Sequence, residues 1–179
     1  VTDFATAATT EHTYKVVQTE REIAELCDVL SQVNMICFDT ETTSVDVLDA
    51  ELVGLSFAVE AHKAHYVPIP DNRAEAMQLL SKFKSLFEDD RIGKIGQNIK
   101  FDLMMLENYG IVVKGKLFDT MIAHYLLNPE LRHGMDYLAE ILLHYRTIHI
   151  EELIGPRGKN QLNMRQVPLD KIAEYAAED

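Results

Sequence analysis

Apolar residues recur along this chain with two periods, and the switches between them outline the elements. Residues 14–17 form a short β-prone run, after which Thr19 and Glu22 make a capping-box opening for a helix carrying Ile23, Leu26, Val29 and Leu30 on one face. Residues 35–38 are a short apolar run ending at Asp39, the pattern of a strand in the middle of a sheet. Residues 52–59 alternate, with Val53, Leu55, Phe57 and Val59 apolar, and 65–69 follow as another strand. Beyond Pro68 and Pro70, the spacing of Met77, Leu80, Phe83, Leu86 and Phe87 predicts one amphipathic helix over 73–87. A brief strand at 92–95 and a helix over 98–108, stopped at Gly110, come next. Two further helical stretches, 119–127 and 134–144, are separated by Asn128-Pro129. The clearest long loop is 154–163, whose two glycines, proline and two basic residues make it the best candidate for a mobile element. Pro168 then opens a last helix running to Asp179. Residues 1–12 are small, polar and aperiodic, the composition of a linker or disordered N-terminus, leaving 13–179 as one domain. Strands come first and helices interleave and then dominate, so the expected class is α/β, a mixed β-sheet flanked by α-helices.

Composition narrows the class further. An apolar share of 47% in 179 residues is enough for one substantial core, which excludes wholesale disorder. No apolar run approaches the roughly 20 residues that span a bilayer, so no membrane partner is expected. Cys27 and Cys37 are too few for a disulfide framework and lack zinc-type spacing; each has apolar neighbours and reads as a small buried hydrophobe of a reducing compartment. The chain starts at Val1 without a charged segment followed by an apolar one, so neither a secretory signal nor a natural start is expected, and it reads as a monomeric fragment of something longer. Lys and Arg number 17 against 29 Asp and Glu, a net charge of −12, and taken as a sum this speaks against a polyanionic partner.

Local chemistry points elsewhere. Asp39-Thr40-Glu41 closes the central apolar run, and on a strand residues i and i+2 project to the same face, so the two carboxylates stand together. Alone, the pair also fits a polar strand end with solvated acids. In the run 96–102 (GQNIKFD), Asn98 and Asp102 share a helix face; alone they fit an N-cap and an acid favoured by the macrodipole. In the run 175–179 (YAAED), Tyr175 and Asp179 are i and i+4, with two alanines permitting close approach and Glu178 off that face and solvated. Together, four acids and a tyrosine on regular elements make a set of hard oxygen ligands, suited to Mg²⁺ or Mn²⁺ and not to zinc. Two such ions about 3.5–4 Å apart suit phosphoryl displacement. The seven histidines show no ligand spacing, and residues 93–96 (GKIG) match a phosphate loop only superficially.

With these motifs in order, the chain resembles the 3′→5′ proofreading exonuclease domain of bacterial DNA polymerase I, in the tyrosine subtype of the DEDD superfamily. FDTET, GQNIKFD and YAAED carry the resemblance, supported by LVGLSFAVE, FDTMIAHYLLNP, RHGMDYLAE and GKNQL, over about residues 35–179. The resemblance implies a ribonuclease-H-like fold, with Asp39, Glu41, Asp102 and Asp179 as ligands of two divalent metal ions and Tyr175 orienting the attacking water. Val45, Gln97, Asn98, Phe101 and Arg132 fall at positions that line a single-stranded DNA 3′ end; Val45 stands where relatives often place a longer leucine wedge, and Phe101 where some carry tyrosine. It further implies hydrolysis to nucleoside 5′-monophosphates, a covalently attached polymerase domain, and the bacterial cytosol. The same motifs fit two alternatives, an inactive scaffold domain of a polymerase and a ribonuclease-D-like RNA exonuclease. Because the chain stops at its last motif residue, weak metal occupancy at Asp179 is expected. The −12 then changes meaning. Two divalent ions would cancel four acids locally, and the remaining deficit implies weak intrinsic DNA binding, with the polymerase delivering the strand.

Overall fold

In the computed structural model, which describes residues 3–179, one six-stranded sheet is built from β1 (Thr13–Val16), β2 (Met35–Thr42), β3 (Leu52–Glu60), β4 (Lys63–Pro68), β5 (Gly93–Gly96) and β6 (Leu117–Asp119). Their spatial order is β1-β4-β3-β2-β5-β6. The run β2-β3-β4 is an antiparallel meander, whereas β5 and β6 join β2 in parallel and β1 lies parallel to β4. β2 is therefore the strand at which the sheet changes character, with an antiparallel neighbour on one side and a parallel one on the other. β5 pairs only with Met35 to Cys37, so the second half of β2 extends past it. In open α/β sheets, a crevice at the carboxyl ends of such strands is where ligands bind.

Eight α-helices accompany the sheet among the described residues: α1 (Glu20–Ser31), α2 (Arg73–Ser81), α3 (Lys84–Phe87), α4 (Lys100–Glu107), α5 (Thr120–Leu127), α6 (Met135–Leu138), α7 (Ile150–Ile154) and α8 (Leu169–Glu178). α1 opens with the capping box expected from Thr19 and Glu22. The main core gathers Ile23, Leu26 and Leu30 of α1, Ile36 and Phe38 of β2, Leu55 and Phe57 of β3, and Leu80, Phe83 and Phe87. Phe57 stacks on Phe83 at 5.4 Å, and Phe38 meets Phe87 edge-on at 5.0 Å. A second, smaller core sets Ile172, Ala173 and Ala176 of α8 against Val53 and Tyr66, with Met164 and Val167 completing it.

A bulge joins the two cores. Glu41 pairs with Gly54 and Thr42 with Leu52, so Val53 is an extra residue on β3. Leu52 consequently faces the main core while Val53 faces the second. Gly54 is required beside it, since a Cβ there would collide with the ring and hydroxyl of the buried Tyr66.

The differences from the sequence expectations have local causes. The helix expected over 73–87 breaks into α2 and α3, because Lys82 and Phe83 bond three residues back to Leu79 and Leu80. The buried spacing Leu80-Phe83-Leu86 has a period of three, and the tightened turn keeps all of it inward. The stretch expected over 134–144 is α6 continuing into a π-helical turn, Ala139–Leu143, ended by His144 at φ 50°. β6 and α7 were not expected: the first is three residues with exposed Leu117 and Phe118, and the second is one turn. Within the 154–163 loop, the Leu162 amide bonds the Ile154 carbonyl at 2.9 Å and the Gln161 side-chain amide bonds the Gly155 carbonyl at 3.1 Å, so the base of the loop is tied. In the expected linker, Ala5 bridges to Tyr145 and Ala7 is buried; Val1 and Thr2 lie outside the described residues. Cys27 and Cys37 are half-buried, not fully buried.

Candidate active site

β2 and the last turn of α8 converge at the edge of the second core. Asp39 and Glu41 project from one face of β2, and Asp179 ends the helix that packs against that face. Ala176 and Ala177, both buried, let the helix approach closely. One carboxylate oxygen from each of Asp39, Glu41 and Asp179 lies within 4.8 Å of the others. None of the ion pairs among the described residues involves these acids or Asp102. Arg165, near the end of β2, donates instead to the Leu52 and Ile69 carbonyls at 2.7 and 3.1 Å.

Asp102 arrives from the first turn of α4 and stands beside the group of three. Its Oδ1 accepts the Thr40 amide at 3.1 Å and the Thr40 hydroxyl at 2.6 Å. Thr40 points away from Asp39 and Glu41, so the three residues of the motif divide their work: two acids on one face, and a tether for the fourth acid on the other. This role of Thr40 has only one signal in the sequence, a hydroxyl between two acids.

Burial dominates the electrostatics. It raises the Asp39 and Glu41 carboxyls well above the usual range, with the other acids adding to the rise. Asp179 is pushed to about 8 by burial and then by Glu178 and Asp136, the Tyr175 hydroxyl offsetting part of that rise. Asp102 rises less, to about 6, because the Thr40 hydrogen bonds oppose its burial. The phenol of Tyr175 is raised by burial and by Asp179, Glu41 and Asp39, and stays protonated at neutral pH. Cys37, on the same face of β2, is pushed to about 11 by burial and by Asp39 and Asp102.

The turn before α4 is built differently from its expected form. Asn98 is not a helix N-cap; it adopts the left-handed region at φ 56°, and α4 starts at Lys100. No side chain caps the first turn of α4; instead the turn leading into it is held by Asp119, 21 residues away from Asn98, whose carboxylate accepts the amides of Asn98 and Ile99 at 3.1 and 3.0 Å. Gln97 has both ends of its amide engaged: Nε2 donates to the His133 carbonyl at 2.7 Å, and Oε1 accepts from the Thr120 hydroxyl. Phe101 packs half-buried against the main core. Val45 lies 93% exposed on the loop after β2, and Arg132 is exposed between α5 and α6. Glu178, expected to be solvated, instead accepts the Tyr145 hydroxyl and the Ile148 amide, both at 2.6 Å. The residues it reaches lie about thirty positions back along the chain, beyond any helical periodicity.

A family model described as "3'-5' exonuclease" matches residues 14–179. DNA polymerase I of Pseudomonas aeruginosa is 38% identical over 159 residues, which is 84% of this chain and 17% of that protein. DNA polymerase I of Borreliella burgdorferi is 34% identical over 181 residues, covering 99% of this chain and 19% of its own length. The chain thus spans under a fifth of these curated relatives. Among solved structures, Brucella melitensis NrnC superimposes with a TM-score of 0.69 at 22% identity, over 95% of this chain and 75% of its own. Escherichia coli RNase D superimposes with a TM-score of 0.69 at 18% identity, over 93% and 41%. The α/β, ribonuclease-H-like fold expected from the motifs is the one observed.

Proposed function

The chain belongs to the family of 3′-5′ exonuclease domains, and on that premise we propose that it releases nucleoside 5′-monophosphates from single-stranded DNA 3′ ends as the proofreading part of a DNA polymerase I. The observation that carries this reading is the convergence of Asp39, Glu41 and Asp179 within 4.8 Å, with Asp102 adjoining and no basic partner among the described ion pairs. Carboxylates so close cannot all ionise near neutral pH unless a cation joins them, and an all-oxygen set fits hard divalent ions, Mg²⁺ or Mn²⁺. Asp39, Glu41, Asp179 and Asp102 would hold two such ions, which when bound supply Lewis-acid activation and charge neutralisation for phosphodiester hydrolysis.

The protein's own groups divide the remaining tasks. Tyr175, protonated at neutral pH, can orient the attacking water by hydrogen bonding but cannot take its proton. Asn98, Phe101, Gln97, Val45 and Arg132 are the groups assigned to the terminal nucleotides: an amide, a ring face, a positioned turn, an exposed apolar tip and a phosphate partner. Gln97 acts chiefly through the turn it braces, since both ends of its amide are occupied. The polymerase domain as covalent partner is supported by relatives named DNA polymerase I that are more than five times this chain's matched length. A bacterial cytosolic setting goes with those relatives; no described helix is long and apolar enough to cross a membrane.

The likeness of the fold to RNase D gives a second reading, RNA trimming at the same site. Digestion of 5′-labelled single strands, DNA and RNA in parallel, with Mn²⁺ and with Asp39→Ala as control, decides among the readings. Stepwise shortening of DNA that the substitution abolishes is the expected result. Preference for RNA would replace the substrate assignment, and inertness toward both would leave a scaffold domain.

A further inference from the structure

One carboxylate outside the metal cluster has an unusual load. Asp119 ends β6, the outermost parallel strand, paired with Gly96 at the end of β5. Its Oδ1 caps α5 by accepting the Met121 amide at 2.9 Å and the Ile122 amide at 3.3 Å. The same oxygen accepts the Asn98 amide, and Oδ2 accepts the Ile99 amide. Two segments of chain with separate roles are thus anchored on one side chain, and the second of them leads directly to Asp102.

The connection can be followed bond by bond. Asp119 holds the N–H groups of Asn98 and Ile99. The carbonyls of those same two residues accept the amides of Phe101 at 3.0 Å and Leu103 at 3.0 Å, which flank Asp102. Asn98 sits at φ 56°, a conformation that costs a non-glycine residue energy and persists only where its surroundings enforce it. Hydrogen bonds to a charged carboxylate are among the stronger ones in proteins and can supply that enforcement. Thr40 holds the Asp102 carboxylate from the β2 side, so Asp102 is fixed from two directions.

We propose that Asp119 is a positioning residue of the exonuclease site: by fixing the left-handed turn at Asn98 and the start of α4, it sets where Asp102 presents its carboxylate and Asn98 its amide. It touches neither of the reacting groups. The inference rests on the metal-dependent exonuclease reading for its consequence and on the hydrogen-bond geometry for its cause.

Asp119→Ser separates the two roles, because a serine is a good N-cap for α5 but too short to span to Asn98 and Ile99. In that variant the Asn98 and Ile99 amides should exchange with solvent about tenfold faster, while Met121 and Ile122 stay protected. The Mn²⁺ concentration for half-saturation, read by calorimetry, should rise about tenfold, as found for residues that orient metal ligands from behind. Asp119→Asn, which keeps the reach and one acceptor, should fall between wild type and Asp119→Ser on both readouts. A merely structural loss would lower the folded fraction without moving the Mn²⁺ midpoint of the folded molecules. Unchanged exchange at Asn98 and Ile99, or faster exchange with an unchanged Mn²⁺ midpoint, would overturn the proposal; should Asp119→Ser not fold, Asp119→Asn behaving as wild type does so equally. A wild-type chain that binds Mn²⁺ but shortens neither DNA nor RNA would refute the exonuclease reading and leave Asp119 to be judged on exchange and Mn²⁺ affinity. Failure of the wild type to bind Mn²⁺ would overturn both.

Discussion

Asp39 and Asp179 meet at one site, yet the fold holds them by different means. Asp39 lies on β2, flanked by β3, with Ile36 and Phe38 of the same strand buried in the main core. Asp179 lies at the end of α8, whose hold on the sheet is the smaller core of Ile172, Ala173 and Ala176 against Val53 and Tyr66. The strand acid is positioned by backbone pairing and the helix acid by side-chain packing. Changes to side chains should therefore disturb the second far more readily than the first, while removing either carboxyl should affect the chemistry alike.

The largest expected effect tests the strand side. Asp39→Ala should lower exonuclease activity by about 1,000-fold or more, the loss of several kcal/mol of charge stabilisation. Because it also removes a buried acid from a repelling cluster, the metal-free variant should melt no lower than wild type; a marked drop in melting temperature would mean that Asp39 is structural. Next in size is the dependence of metal-free stability on pH. Folding raises the pKa of these acids, so the native state binds more protons than the unfolded one, and stability is present at low pH and lost as pH rises. The loss should run through about 6 for Asp102 and about 8 for Asp179, and saturating Mg²⁺ should flatten it. Thermal melts from pH 5 to 9 check this, and a metal-free protein that gains stability over that range contradicts the sign.

Ala176→Leu then tests the helix side alone. Overpacking this buried contact should cost about 1–3 kcal/mol in denaturant unfolding and depress activity by shifting Asp179, with Asp39 undisturbed. Equal activity in this variant would show that the helix acid tolerates displacement. The smallest expected change is Thr40→Val, which deletes the 2.6 Å hydroxyl bond to Asp102 but keeps the backbone one. It should cost about 1 kcal/mol, and the Asp102 carboxyl should titrate higher, measurable by carbon-detected NMR.

The parts of this architecture that were legible in the sequence are those written in short periods. Alternation brought out β3, the i, i+2 spacing placed Asp39 and Glu41 together, and i, i+4 put Tyr175 with Asp179. What escaped depends on partners far along the chain. Nothing local says that Asp119 holds the turn at Asn98, that Thr40 tethers Asp102, or that Glu178 turns inward to Tyr145 and Ile148. The break between α2 and α3 was hidden for another reason: the apolar spacing there suits a period of 3 as well as 3.6, and only the burial of Phe83 against Phe57 selects the tighter turn.

The placement of the acids on two separately packed cores has a consequence for how the molecule is held together in time. A cation shared by Asp39 and Asp179 would close a loop of 179 − 39 = 140 residues, most of the chain. Cross-links that close long loops restrict the unfolded chain most, in the manner of a disulfide between distant cysteines. An ion at this site would then be a removable staple as well as a reagent. Chelation would loosen α8 from the sheet before the paired strands, giving proteases their first opening at the helix that carries Tyr175.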